Sequence, residues 1–310
     1  MKTISIVVPC RNEEHGIAAL MSRLEALQRG IAHVRFEVVL VNDGSTDGTL
    51  DRMLEAKAGF AGGEVVVVDL SRNFGKEAAL SAGLAVCAGE AAIPLDADLQ
   101  DPPELIAGMV GRWEAGAEVV LARRTDRSSD TWFKRASARA FYAVQNATSD
   151  VAIPAHVGDF RLMDRAVVDV INALPENRRY MKGLFAWAGF RTECMDYVRP
   201  ARASGSTQFN ALRLARLALE GLTSFSLAPL RLATVVGAAV ALVALVKSAQ
   251  IAIRTLIYGV DVPGYASIFT AVAFLGGFQL FCLGIIGEYV GRTYLEAKRR
   301  PAFVVRRVFR

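Results

Sequence analysis

One uncharged apolar segment near the end of the chain constrains the fold more than any other feature. Residues 266–286 contain no Asp, Glu, Lys or Arg, and as a helix they would extend for about 31 Å at 1.5 Å per residue. That length matches the hydrocarbon core of a bilayer. Residues 232–258 form a second apolar segment, interrupted by Lys247 and Arg254. We therefore predict two transmembrane helices, over about 232–258 and 266–288.

The charges around these two segments predict their orientation. The connector 259–265 holds Asp261 and no Lys or Arg, whereas residues 292–310 carry a net charge of +6 in a chain whose total is +5. Under the positive-inside rule, we expect the N-terminal domain and the C-terminus to be cytoplasmic. The expected location is the inner (plasma) membrane, as a multi-pass protein. A basic tail beside a membrane favours contact with anionic lipid. We expect no nucleic-acid partner.

The first 120 residues alternate β-branched segments with helical ones. Five segments have the near-continuous apolar character of buried parallel strands: Ile4–Val8, Phe36–Val41, Val65–Leu70, Ala91–Leu95 and Val119–Ala122. Four segments between them carry helical periodicity: Glu13–Leu27, Asp47–Ala58, Gly75–Val86 and Pro102–Ala115. This alternation predicts an α/β fold with a doubly wound, mostly parallel, Rossmann-like sheet, whose ligands bind beyond the carboxyl ends of the strands.

Other features complete the predicted organisation. Asp101 and Glu104 have the spacing of a capping box at the start of the fourth helix, and Phe133–Gln145 and Arg165–Ala173 are further helix candidates. We divide the chain into a cytoplasmic domain, an amphipathic juxtamembrane helix for which an ordinary surface helix is an equal alternative, two transmembrane helices, and a basic cytoplasmic tail. These parts cover residues 1–208, 209–228, 229–290 and 291–310.

Acidic residues follow three of the predicted strands where each strand ends. Glu13 follows the first strand, Asp43 the second, and Asp96 and Asp98 the fourth. On an extended segment, Asp96, Asp98 and Gln100 would point to the same side. Two carboxylates and an amide oxygen suit a hard cation, Mg²⁺ or Mn²⁺, that takes its other ligands from phosphate and water. A nicotinamide-binding domain is excluded, because the first strand is followed by PCRNEE instead of GxGxxG.

The chain resembles the family 2 glycosyltransferases of the GT-A fold in four segments: VVPCRNEE, VNDGSTDGT, LSRNFGKEAALSAGL and PLDADLQDPPEL. Within that family it is similar to the polyisoprenyl-phosphate branch, which contains dolichol-phosphate mannose synthase and the undecaprenyl-phosphate glucosyltransferases. The similarity continues through GDFRLMDR, RRYMKGLFAWAGF, FSLAPLRL and LGIIGEYVGRTYLEAKRRP, so it covers almost the whole chain.

The resemblance implies a role for each matching residue. At the donor, Pro9, Glu13 and Asp43 match residues that contact the nucleoside, and Arg11 stands where the family usually has Tyr. Metal and diphosphate ligands are implied for Asp96, Asp98 and Gln100, and contacts to the donor phosphates for Arg124 and Arg127. The acceptor phosphate is assigned to Arg161, Arg202 and Thr207, although Thr207 and Gln208 replace the usual Ser-Lys. Candidate catalytic residues are Asp98, Asp159 and Arg161.

The expected function is a metal-dependent, inverting transfer of a hexose from a nucleotide sugar to a polyprenyl phosphate. UDP-glucose and undecaprenyl phosphate are the favoured substrates, and the product would be a lipid-linked monosaccharide for envelope glycan modification. The alternatives are transfer of another sugar (mannose, GlcNAc or aminoarabinose), or a non-catalytic nucleotide-sugar-binding subunit of a membrane glycan assembly. A processive synthase would carry a QxxRW motif and more membrane spans. The related enzymes suggest a homo-oligomer.

Overall fold

The computed structural model describes residues 1–125, 157–176, 179, 181–197, 228–258 and 264–310. Within these ranges, eight strands form one sheet. The strands are β1 Lys2–Cys10, β2 Val34–Asn42, β3 Gly63–Leu70, β4 Ala91–Pro94, β5 Val119–Arg124, β6 Val157–Asp164, β7 Thr192–Tyr197 and β8 Val305–Phe309. The helices are α1 Ile17–Gly30, α2 Thr49–Gly59, α3 Lys76–Val86, α4 Leu105–Glu114, α5 Arg165–Ala173, α6 Met181–Trp187, α7 Ala228–Tyr258 and α8 Tyr265–Ala297.

The strand order is β7-β5-β6-β4-β1-β2-β3-β8. The four strands β4, β1, β2 and β3 run parallel, β6 is antiparallel to β4 and β5, and β8 is antiparallel to β3. Because β1 lies between β2 and β4, the winding of the sheet reverses beside it. The predicted fold class, a doubly wound and mostly parallel α/β sheet, is confirmed, and each of the five predicted strands is present.

Helices cover both faces of the central strands, which explains why these strands are apolar at nearly every position. Side chains alternate along β1, so Ile4, Ile6 and Val8 pack with α1, α2 and α4 in one core, while Val7 packs with α3, α5 and α6 in the other. All four of these β1 side chains are fully buried. The centre of the molecule is therefore the two-sided core around β1.

Two predicted helix boundaries gave opposite outcomes. The helix predicted over Arg165–Ala173 is confirmed, and the Asp164 carboxylate caps it by accepting a hydrogen bond from the Ala166 amide at 3.0 Å. The cap predicted at Asp101 is wrong: α4 begins at Leu105 without a side-chain cap. Asp101 is buried and accepts hydrogen bonds from Tyr197 and Arg124 instead. The helix predicted over 133–145 and residues 209–227 of the juxtamembrane segment lie outside the described residues.

The basic C-terminal segment contains a strand that the sequence analysis missed. Residues 305–309 form β8, which extends the sheet along the edge of β3. Phe303 and Val305 pack against one core and Phe309 against the other. We predicted a tail in contact with the membrane because arginines dominate the composition of this segment. In the structure, its apolar side chains pack against the sheet.

The two long helices expose apolar side chains along their length. α7 has 31 residues and α8 has 33, and segments Leu232–Tyr258 and Phe274–Ala297 are long and apolar enough to cross a membrane. Glu288 and Arg292 form an i,i+4 ion pair at 2.9 Å on α8. Side chains such as Leu280 remain 71% exposed. Lipid would cover such surfaces at lower free energy than water.

Close packing between α3 and the sheet generates a stability prediction. A Cβ atom added at Gly83 would lie 2.2 Å from Val7 Cγ1 and 3.0 Å from Val41 Cγ2, whereas one added at Gly111 on α4 would meet open space. We expect Gly83→Ala to destabilise the protein by about 1–3 kcal/mol through overpacking. Gly111→Ala is the matched control and should be neutral or stabilising by up to about 1 kcal/mol. Equal unfolding midpoints for the two variants in detergent would contradict this packing.

Candidate active site

A cavity of about 330 Å³ opens at the point where the winding of the sheet reverses beside β1. Its walls come from the segments that follow β1, β2 and β4 and from the beginning of α3. Six of the predicted donor and metal residues line it together: Pro9, Arg11, Glu13, Asp43, Asp96 and Asp98. The acidic residues that follow β1, β2 and β4 therefore converge at one edge of the sheet.

Crowding of carboxylates makes this cavity electrostatically unusual. Burial raises the pKa of Glu13, and the nearby charges of Asp98, Asp47 and Asp96 raise it further. Burial also raises the pKa of Asp96 above its ordinary value, although Lys76 acts in the opposite direction. Raised carboxyl pKa values mean that the negative charges in this cavity are incompletely compensated. A cation bound there would stabilise them.

Residues 96–100 were predicted to be extended, and the structure shows that they are not. β4 ends at Pro94, residues 97–98 form a turn, and Leu99 has a left-handed φ of 53°. Asp98 Oδ1 accepts a hydrogen bond from the Gln100 amide at 3.1 Å, which stabilises the turn. Consequently Asp96 and Asp98 line the cavity, whereas Gln100 lies outside its lining.

Lys76 is the cation that the structure places among these carboxylates. Its Nζ lies 2.7 Å from Asp96 Oδ1 and 2.9 Å from Asp159 Oδ2. Burial alone would lower the pKa of Lys76, but the two carboxylates outweigh that effect and raise it. Because β6 pairs with β4, Asp159 reaches the cavity edge from the antiparallel part of the sheet. The sequence pattern gave no indication of these two partners of Lys76, since Asp96 lies 20 positions away and Asp159 lies 83 positions away.

Asp43 ties two neighbouring loops together. Its carboxylate accepts hydrogen bonds from the amides of Phe74 at 2.7 Å and Gly75 at 3.0 Å. The next residue, Gly44, has a φ of 59°, and a Cβ there would lie 2.4 Å from the Asn73 nitrogen. Glycine is required by both the left-handed conformation and the close approach. The loops that follow β2 and β3 are thus held as one unit beside the cavity.

Arg124 and Arg161 are anchored away from the cavity lining. Arg124 donates hydrogen bonds to Tyr197 Oη at 3.0 Å and to Asp101 Oδ1 at 3.3 Å, and Tyr197 itself donates to Asp101. Burial and the hydrogen bond to Asp101 raise the pKa of Tyr197 to about 12. The residues Asp101 and Tyr197 were not foreseen as partners of Arg124, since they lie 23 and 73 positions away from it in the sequence.

Arg161 is nearly fully buried. It donates a hydrogen bond to the Gly158 carbonyl at 2.7 Å, and its guanidinium lies 4.1 Å from the centre of the Phe185 ring. Burial lowers the pKa of Arg161 to about 10, which leaves it charged at neutral pH. The acceptor-phosphate role of Arg161 stays a prediction. Arg127, Arg202 and Thr207 lie outside the described residues.

The carboxylate oxygens of the cavity fit a divalent cation whose other ligands come from a substrate. Among the residues that the structure describes, no three His, Cys, Asp or Glu side chains form a group that could hold a metal ion alone. Asp96 and Asp98 supply carboxylate oxygens on one wall of the cavity. Mg²⁺ is commonly bound by one or two carboxylates together with substrate phosphates. These residues therefore fit a metal that arrives with a phosphorylated ligand.

An acidic cavity at the reversal point of a doubly wound sheet, followed by two long apolar helices, defines an α/β enzyme with a helical hairpin. Comparison with known proteins identifies its family. The sequence profile of glycosyl transferase family 2 matches residues 5–171, and that of the GtrB C-terminal hairpin matches residues 228–293. The chain belongs to glycosyltransferase family 2 and is a glycosyltransferase.

Relatives match along almost the full chain. An uncharacterized glycosyltransferase of Synechocystis is 46% identical over 97% of this chain and 94% of its own length. A prophage bactoprenol glucosyl transferase homolog of Escherichia coli K12 is 45% identical over 98% of this chain and 99% of its own. A prophage-derived bactoprenol glucosyl transferase of Shigella flexneri is 44% identical over 99% and 98%.

The acidic cavity generates a prediction about thiol reactivity. Cys10 lies in the cavity wall and is 1% exposed, and its burial, together with Glu13 and Asp96, raises its pKa far above that of an ordinary thiol. Because the thiolate is the reactive form, we expect maleimide at pH 8 to modify exposed Cys194 and leave Cys10 unmodified, as read by peptide mass spectrometry. Denatured protein, in which both thiols react, is the control. Equal native labelling of both would contradict the buried acidic environment.

Proposed function

We propose that the protein transfers glucose from UDP-glucose to a polyprenyl phosphate with inversion at the anomeric carbon. The observation that carries the proposal is the acidic cavity beside β1, in a chain that is similar over nearly its whole length to bactoprenol glucosyl transferases. Undecaprenyl phosphate is the favoured acceptor. The product is a lipid-linked monosaccharide available for envelope glycan modification.

The donor is held by residues of the cavity wall. Pro9, Glu13 and Asp43 contact the nucleoside end, and Arg11 stacks on the base where the family usually has Tyr. Asp96 and Asp98, extended by Gln100 after a local rearrangement, would hold Mg²⁺ or Mn²⁺ against the diphosphate. When bound, the cation would neutralise the charge that develops on the leaving diphosphate.

The reaction is a direct displacement. An oxygen of the acceptor phosphate attacks C1 of the sugar while the C1–O bond to the diphosphate breaks and its electron pair leaves with the nucleotide. The acceptor is largely anionic at pH 7, since phosphate monoesters have a second pKa of about 6, so it needs little help from a base. What it requires is positive charge that brings two anions together. Arg124, Arg127, Arg161 and Arg202 supply it, with Thr207 as a hydrogen-bond donor.

Lys76 and Asp159 form the link between the donor and acceptor sides in this proposal. The Lys76 ammonium contacts Asp96 on one side and Asp159 on the other, at 2.7 and 2.9 Å. Asp159 lies two residues before Arg161 on β6. Release of Lys76 from Asp96 on metal binding would free its ammonium to contact a phosphate while Asp159 keeps it in place.

The two apolar helices serve as the membrane anchor. A lipid-linked phosphate stays at the headgroup plane, so an enzyme that uses it must be held there. We propose a multi-pass protein of the inner (plasma) membrane, with the catalytic domain and C-terminus in the cytoplasm and with self-association into a homo-oligomer. Its partners are the nucleotide sugar, the polyprenyl phosphate and the membrane.

Substitution of Asp98 tests the proposed reaction. With Mn²⁺ or Mg²⁺, the purified protein should transfer labelled glucose from UDP-glucose to undecaprenyl phosphate, measured as organic-extractable label. Asp98→Ala should lower this rate by about 100-fold or more, because it removes a ligand of the cation that stabilises the leaving group. Asp51→Ala, an exposed acidic position on α2, is the control and should retain wild-type activity.

The donor panel decides among the alternatives. Transfer from another UDP- or GDP-sugar in place of UDP-glucose would change the assigned sugar. No transfer from any sugar, accompanied by nucleotide binding, would support a non-catalytic binding subunit and overturn the proposed reaction.

Topology reporters test the proposed anchor. A cytoplasm-active reporter fused after Arg310 should be active, and the same reporter inserted in the connector 259–265 should be inactive. The reason is that the positive charges lie before the first apolar helix and after the second, and not in the connector between them. A periplasm-active reporter should give the opposite pattern at both sites. A cytoplasmic signal from the connector would contradict the hairpin orientation.

A further inference from the structure

The strand β8 brings the C-terminus back to the catalytic sheet directly after the apolar hairpin. α8 ends at Ala297, and β8 begins at Val305 after seven connecting residues. β8 pairs with the carboxyl-terminal half of β3, from Val67 opposite Phe309 to Leu70 opposite Val305. The Ser71 amide continues the pairing by donating to the Val304 carbonyl at 2.9 Å. This edge strand therefore begins beside the loop that follows β3, and Gly75 of that loop lines the donor cavity.

Arg306 makes the polar contacts of this strand. Its Nη1 lies 3.4 Å from Asp69 Oδ2, and its Nη2 donates to the Ser71 carbonyl at 2.7 Å. Asp69 is 3% exposed and stands near the carboxyl end of β3. A buried carboxylate is costly unless a cation and hydrogen bonds compensate it. Arg306 reaches it from the surface, since its own side chain is 62% exposed.

From Asp69, hydrogen bonds continue across the ends of β2 and β1. The Asn42 side-chain amide donates to Asp69 Oδ1 at 2.7 Å, and Asn42 Oδ1 accepts from the Ser45 amide at 3.1 Å. Ser45 Oγ in turn accepts from the Asn12 amide at 3.1 Å. Each contact fixes one loop relative to the next. Asn12 lies between the cavity residues Arg11 and Glu13, so the series runs from the C-terminus to the cavity wall.

We propose that Arg306 is a positioning residue for the donor site: through Asp69 and Asn42 it holds the loops that follow β1 and β2 in the shape that binds the nucleotide. The strand after the hairpin thereby completes the catalytic domain. The identity of the nucleotide rests on the proposed function, whereas the contacts between the loops do not. Arg307 is outside this series, since its guanidinium lies over the Phe309 ring at 5.0 Å.

Nucleotide affinity provides the first test. In the full-length protein with Mn²⁺, Arg306→Met should weaken UDP binding by about tenfold in calorimetry, because Asp69 loses its cation and Asn42 its fixed acceptor. The control Arg307→Met should bind UDP as the wild type does. Arg306→Lys should recover part of the affinity. In transfer assays, the KM for UDP-glucose should rise while the kcat and the KM for the lipid stay near wild type.

A double mutant tests whether the effect passes through Asp69. Asp69→Asn removes the buried charge, so adding Arg306→Met to it should weaken UDP binding by less than Arg306→Met does in the wild type. Full additivity of the two losses would overturn the proposed route.

Hydrogen–deuterium exchange separates this inference from the proposed function, because it needs no ligand. Arg306→Met should increase exchange at the amides of residues 42–49 and leave exchange in β6 and α4 unchanged. Arg307→Met should leave exchange unchanged in all three regions. Unchanged exchange in 42–49 would overturn the inference whatever the nucleotide result. Increased exchange in a protein whose wild type binds no UDP would support the positioning role and reject the proposed donor.

Discussion

The parallel pairing of β1 with β2 on one side and β4 on the other is the constraint on which the rest of the molecule depends. It requires apolar side chains on both faces of the central strands, and Ile6 and Val7 supply them within two separate cores. It also sends the ends of all three strands to one edge of the sheet. Acidic residues that follow those strands therefore lie close together, and Glu13 is near Asp96 and Asp98.

The proximity of these carboxylates causes electrostatic repulsion, and this repulsion indicates which ligands the site would bind. Burial and like charge raise the pKa of Glu13 and of Asp96, so this region of the fold is held against its own repulsion. Lys76 offsets part of the repulsion by contacting Asp96 and Asp159 together. A site with this balance binds a cation and an anionic ligand more favourably as a pair than either one alone. The proposed metal and diphosphate are such a pair.

Sequence reasoning succeeded where local pattern and burial agree, and failed where a distant residue decides. The five strands of the first half and the helix at Arg165–Ala173 follow from periodicity and local capping. Asp101 has the spacing of a cap, but its carboxylate is taken by Tyr197, 96 positions away. Likewise, the pairing of β8 with β3 joins residues more than 230 positions apart, with an irregular register that masks its alternation. Long-range partners of this kind leave no local signature in one sequence.

The return of the chain to the sheet after α8 also restricts where the active site sits. Residues 298–304 connect α8 to β8, and seven residues span at most about 25 Å when fully extended. The edge strand β3, which β8 covers, is therefore confined to that distance from the end of the helix. Asp69 and Asn42 then join this edge to the cavity through side chains a few ångströms long. The proposed acceptor phosphate is fixed at the membrane surface and would require a cavity held at such a distance. A short connection built into the sheet would provide this without a separate domain.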